Sequence, residues 1–154
     1  VLPYDPVCDE VVLIEQFRIG PYARGDDGWC LEVVAGIVED GEDLKDVVRR
    51  EAREEAGIEL TDITHALDCY TSPGAVTEQI SVYCARVDAS TASGIHGVAE
   101  EGEDIKVVVK SFDEVMAAME TGAINAGPVI VAAQWLALHR EELRRRWLAA
   151  DPVG

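Results

Sequence analysis

Nowhere do apolar residues run on for eighteen positions. Although they make up 48% of the 154-residue chain, nothing has the length of a membrane-spanning helix. Paired cysteines are missing too: Cys8, Cys30, Cys69 and Cys84 stand singly, without the CxxC spacing of a zinc site. They read as reduced thiols rather than a disulfide framework, as in a cytoplasmic protein. Basic residues are scarce, with 13 Lys and Arg against 30 Asp and Glu, a net charge of −17. That is the opposite of what binding a nucleic-acid backbone requires, so nucleic acid is excluded as a partner. Part of the acidity serves solubility. An acidic protein can still take a phosphate ester if cations bridge the two anions, which favours a divalent metal over a basic pocket. At Val1 there is neither a basic stretch nor an apolar one to read as a secretory signal. No internal repeat, low-complexity tract or linker appears, so residues 1–154 are expected to form one domain, burying roughly 70% of the unfolded surface.

What the chain does contain is a succession of short strands and helices. Residues 11–18 are β-branched and closed by Gly20-Pro21, as in a mostly buried strand, and a loop is expected through Gly28. Residues 29–35 read as a second strand, stopped by Gly36 and the acidic Gly41-Glu42 turn. Asp43 then caps a helix running to Glu55, with Gly57 as its stop. Residues 63–70, 80–87 and 105–109 are rich in strand formers, separated by Ser72-Pro73-Gly74 and by a long Gly/Ser/Glu loop. Ser111 with Glu114 forms a capping box for a helix to about Glu120, and Pro128 opens a longer helix to about Trp147. The expected class is α+β, with helices flanking a mixed sheet.

The first long helix carries the chemistry. Glu51, Glu54 and Glu55 are spaced i, i+3, i+4 and so stack on one face. At about 100° per residue, Glu51 and Glu55 fall within about 20° of Leu44, between Val47 and Val48, so these carboxylates continue the apolar stripe and point inward. A glutamate-rich helix is ordinarily a solvated face, but ionised carboxylates beside a buried stripe are costly unless a cation joins them. Arg50 can pair with Glu54, and Arg53 lies on the far side, which leaves Glu51 and Glu55 without a sequence-local cation. An all-oxygen set suits Mg²⁺ or Mn²⁺ rather than zinc.

Gly36, five residues, Glu42, seven residues, then Arg50-Glu51-Ala52-Arg53-Glu54-Glu55-Ala56-Gly57-Ile58 resembles the Nudix box, GX5EX7REUXEEXGU with U apolar, at every specified position. The resemblance implies an α/β/α sandwich around a mixed β-sheet and hydrolysis of a nucleoside diphosphate linked to another moiety. Beyond the box the chain is similar to the bacterial ADP-ribose pyrophosphatases. Pro73, 16 positions past Gly57, matches their marker proline, Ser72-Pro73-Gly74 with Glu78 matches their SPG…E segment, and residues 91–105 match their acidic loop. The implied reaction is Mg²⁺-dependent cleavage of ADP-ribose to AMP and ribose 5-phosphate, with Mn²⁺ able to substitute.

Residue roles come from the same resemblance. The Ala35 carbonyl, Glu51, Glu55 and Glu103 match metal ligands, and Glu54 an additional one. Glu101 matches the general base, with Glu54 the second candidate. Arg18 matches a phosphate-contacting arginine, and Glu32, Gly36 and Glu78 match substrate-binding positions. Glu42, Arg50, Gly57 and Pro73 support the motif. The resemblance also implies a homodimer and a strand-rich segment ahead of Val1 that contributes to adenine recognition, so no adenine-stacking residue is named here.

The remaining residues have plain readings. His65, His96 and His139 receive no role. Trp135, Leu136, Leu143 and Trp147 recur at helical spacing and read as core or interface. Arg144-Arg145-Arg146 suits a helix C-terminus. Three other functions compete: a Nudix hydrolase of another sugar nucleotide such as GDP-mannose, a module that binds ADP-ribose without cleaving it, and a structural acidic domain. The full set of box glutamates argues against the second, and the inward carboxylates against the third.

Overall fold

The computed structural model describes residues 1–98 and 102–149. In chain order the elements are β1 (Leu2–Asp5), β2 (Glu10–Phe17), α1 (Ile19–Arg24), β3 (Trp29–Glu32), α2 (Leu44–Ala56), β4 (Thr61–Tyr70), β5 (Gln79–Arg86), β6 (Ile95–His96), β7 (Ile105–Ser111), α3 (Phe112–Thr121) and α4 (Gly127–Ala149). The strands form one sheet in the order β4-β5-β1-β2-β7-β6, with β3 also paired to β2. β1 runs parallel to β5 and every other pairing is antiparallel, so the sheet is mixed.

Alternation along the strands produces two cores. In β2, Val12 and Ile14 face the layer that contains α2, while Val11 and Leu13 face the layer of α3 and α4. Tyr83 and Ala85 of β5 join the first layer, and Val82 and Cys84 the second. The helices cover both faces, which is the expected α/β/α sandwich in the α+β class. Leu136, Leu143 and Trp147 of α4 are buried in the second layer, with Trp135 packed at its margin. Among the described residues, no helix is long and apolar enough to cross a membrane, and all four cysteines are free.

Most expected elements are present, with departures that have local causes. No strand was expected ahead of residue 11, yet β1, with Pro3 inside it, lies between β2 and β5 and buries Leu2 and Tyr4. β3 ends at Glu32 rather than residue 35, because β1 and β3 share one edge of β2. The stretch expected as loop holds α1, whose first turn accommodates Pro21 and which Gly25 closes at φ 108°. The Gly/Ser/Glu loop contains β6, paired to β7 at Lys106 and Ile105. The Ser111–Glu114 capping box forms as expected, with Glu114 accepting the Ser111 N–H at 2.9 Å.

Candidate active site

Helix α2 and the loop before it position most of the box. The Asp43 carboxylate accepts the Lys45 and Asp46 N–H groups at 2.9 and 3.3 Å, and Gly57 at φ 64° ends the helix. Val48, Ala52 and Ala56 enter the core, and Val47 is buried beside them. That stripe turns the two flanking carboxylates inward: Glu55 is 4% exposed and the Glu51 side chain 12%, against 39% for Glu54.

The Ala35 N–H donates to Glu55 Oε2 at 2.9 Å. Burial pushes the Glu55 carboxyl from 4.5 up to about 7; the Ala35 amide opposes the shift, and the charges of Glu51 and Glu103 add to it. Burial raises Glu51 as well, with the Arg50 guanidinium opposing. One expectation is corrected: Glu51 does have a local cation. Arg50 Nη1 lies 2.7 Å from Glu51 and 3.4 Å from Glu54, and Arg50 Nη2 lies 3.6 Å from Glu42. The adjacent positions diverge on the helix, but the arginine stem is long enough to fold back to both carboxylates. Glu42 in turn accepts the Glu39 N–H at 2.8 Å, so Glu42 and Arg50 tie the loop to α2. Gly36 permits the closest approach in this region, since a Cβ there would overlap the Glu51 carboxylate.

Glu51 and the Ala35-Gly36 loop border a cleft of about 450 Å³ that Glu78 also lines, with Leu44 and Ile80 among its apolar walls. Glu78 reaches it from the β4–β5 connection, where Glu78 Oε2 accepts the Thr71 hydroxyl at 2.7 Å. Pro73 lies in the same connection, in a turn closed by the Ala75 and Val76 N–H groups on the Ser72 carbonyl. Thr71 had carried no signal in the sequence. Arg18 and Glu32 lie outside this lining and clamp each other, Nε to Oε1 at 2.6 Å and Nη2 to Oε2 at 3.0 Å, with Gln16 accepting from the same Arg18 Nη2 at 3.0 Å. Arg18 is still near enough for its charge to lower the Glu55 pKa.

Glu103 comes from the connection between β6 and β7, whose Gly97 is hydrogen-bonded to the last turn of α2. Its charge acts on both Glu51 and Glu55, while its carboxylate accepts the Val98 N–H at 3.0 Å. Glu101 lies outside the described residues. Among the described residues, no three Asp, Glu, His or Cys side chains converge tightly enough to form a closed metal site. The donors nevertheless fit a hard divalent ion: they are all oxygen, and two of them are carboxylates buried together and driven upward in pKa by burial, with each other's charge adding for Glu55. His96, given no role from the sequence, packs on Gly57.

The family model described as the NUDIX domain matches residues 1–150. The chain is 48% identical over 147 residues to the ADP-ribose pyrophosphatase of Escherichia coli (strain K12), covering 96% of this chain and 70% of that protein. It is 36% identical over 135 residues to the GDP-mannose pyrophosphatase of Pectobacterium atrosepticum, covering 87% and 69%. A crystal structure of an ADP compounds hydrolase superposes with a TM-score of 0.71 at 20% identity, covering 94% of this chain and 72% of that one, which supports the fold. A domain model matching almost end to end, over a box whose Glu51 and Glu55 turn inward from α2, places the chain in the Nudix hydrolase family.

Proposed function

We propose that this chain hydrolyses the pyrophosphate of ADP-ribose to AMP and ribose 5-phosphate, with Mg²⁺ as its metal and Mn²⁺ able to replace it. The observation that carries the reading is the pair of inward carboxylates, Glu51 on a largely apolar cleft beside Gly36 and Glu55 on the Ala35 N–H. The greater identity to the ADP-ribose pyrophosphatase than to the GDP-mannose pyrophosphatase, 48% against 36%, favours ADP-ribose over GDP-mannose.

Glu51, Glu55, Glu103 and the Ala35 carbonyl hold the metal, with Glu54 in reserve at the exposed edge. When bound, the metal supplies positive charge that offsets the pyrophosphate and the charge developing on the bridging oxygen. Arg18 contacts a phosphate by exchanging its Glu32 clamp for substrate oxygens, while Glu32, Gly36 and Glu78 contact other parts of the substrate. Glu101 takes the proton from the attacking water as the water oxygen bonds to phosphorus and the P–O bridge breaks, and the released phosphate oxygen keeps the bond's electron pair. Glu42, Arg50, Gly57 and Pro73 hold these groups in place. Residues 1–154 act as one domain, in the cytoplasm and within a homodimer.

A panel of ADP-ribose, GDP-mannose and other sugar nucleotides, assayed with Mg²⁺ for phosphomonoester release, tests the substrate. A kcat/KM for GDP-mannose equal to or above that for ADP-ribose overturns it. Light scattering giving only monomer at micromolar concentration for the full-length protein overturns the dimer.

A further inference from the structure

His96 occupies an unusual seat. Its ring lies where a side chain on Gly57 would begin: a Cβ on that glycine would overlap His96 Cε1 and meet Nδ1 and Nε2 at 3.0 and 3.1 Å. Gly57 is also the left-handed residue that ends α2. The absent Cβ therefore serves two purposes, the turn of the backbone and the room for an imidazole. The ring is also held at Nε2, which donates to the Ser93 carbonyl at 2.7 Å. This donor is present in one neutral tautomer and in the charged ring alike, so the seat does not depend on charge.

The next residue continues the attachment. The Gly97 N–H donates to the Glu54 carbonyl at 3.0 Å, satisfying a last-turn carbonyl that the helix cannot pair internally. On the other side, Val107 N–H donates to the Gly94 carbonyl at 3.0 Å, and His96 pairs with Ile105 across β6 and β7. Val98 and Glu103 then close on each other, Val98 N–H to Glu103 Oε2 at 3.0 Å and Glu103 N–H to the Val98 carbonyl at 3.4 Å. Glu103 thus follows the placement of Gly97 and Val98, and these follow the seat of His96 on α2.

We propose that His96 is a positioning residue for the metal site: its ring, seated on Gly57, holds the strand end at Gly97 against the last turn of α2 and so sets where Glu103 stands relative to Glu51 and Glu55. The inference rests on the reading of Glu103 as a metal ligand. It does not depend on which nucleotide sugar is cleaved.

The test uses wild-type protein, His96→Ala, His96→Phe and Glu103→Gln. Mn²⁺ affinity is measured without substrate from the electron paramagnetic resonance of free Mn²⁺, and amide hydrogen exchange is followed at Gly97. His96→Ala should weaken Mn²⁺ binding by about tenfold, the lower end of what loss of an orienting group costs a metal site, and should expose the Gly97 amide to exchange. His96→Phe keeps a ring over Gly57 and should recover most of both. Glu103→Gln should weaken Mn²⁺ binding while leaving Gly97 protected. If His96→Ala lowers thermal stability yet leaves Mn²⁺ affinity at the wild-type value, His96 is only packing and the proposal is overturned. Unchanged protection at Gly97 also overturns it, as does a Glu103→Gln variant that binds Mn²⁺ normally. A wild-type protein that binds Mn²⁺ but does not cleave ADP-ribose refutes the proposed substrate and leaves this test intact.

Discussion

Replacing Glu55 with Gln should stabilise the metal-free protein while it destroys the activity. Glu55 is 4% exposed, and burial moves its carboxyl from 4.5 to about 7. Its folded-state pKa therefore lies above its unfolded one, and between the two values the native state holds the extra proton. Stability is full below about pH 4.5, falls as pH rises to about 7, and stays low above that. The separation corresponds to about 3 kcal/mol at most. Gln keeps the oxygen that accepts the Ala35 N–H but brings an amide that must itself be accommodated, so the net gain at pH 8 should be nearer 2 kcal/mol. For a domain of this length that is about 4–8 °C in Tm. The measurement is calorimetric melting of wild type and Glu55→Gln in EDTA at pH 8 and pH 5, repeated with excess Mg²⁺. The variant should melt higher at pH 8, and the two should converge at pH 5, where the wild-type carboxyl is protonated and nearly isosteric with the amide. Mg²⁺ should raise the Tm of wild type alone. A variant that melts at or below wild type at pH 8 in EDTA, or one that keeps wild-type turnover, would refute the reasoning.

Two further outcomes are expected. Glu101→Gln should lower kcat by about 10²- to 10⁴-fold with little change in Mg²⁺ dependence, whereas Glu103→Gln should raise the Mg²⁺ concentration needed; if both change only metal affinity, Glu54 becomes the base to test. Gly36→Ala should lose activity by displacing the Glu51 carboxylate that a Cβ would overlap, and the idea fails if steady-state rates and Mg²⁺ activation in that variant match wild type.

The inward turn of Glu51 and Glu55 was legible because helical periodicity is local: once Leu44, Val47 and Val48 must face a core, the residues at 51 and 55 have no other direction. The caps at Asp43, Gly57 and Ser111 were legible for the same reason, since each is satisfied within a few residues of chain. β1 was not. Its Pro3 argues against a strand, and residues 2–5 become one by pairing on one side with the neighbouring β2 and on the other with β5, far along the chain. Arg50 shows the limit from the other side. The sequence assigned it to Glu54 by helical spacing, but rotamers of a long side chain are chosen by what surrounds them, and here they bring it to Glu51 and Glu42 as well.

The sequence by itself determined the box, the all-oxygen character of its donors and the face of α2 from which they project, because these depend on residue identity and on a fixed helical period. Only the tertiary structure decided what they meet. The sheet carries Glu103 from beyond β6 to within electrostatic reach of Glu55, sets Arg18 against Glu32, and lays His96 on Gly57. Such contacts join segments that are separate in the chain, by 14 residues for Arg18 and Glu32 and by far more for the other two. They are chosen by the packing of whole layers, which no short stretch of sequence encodes.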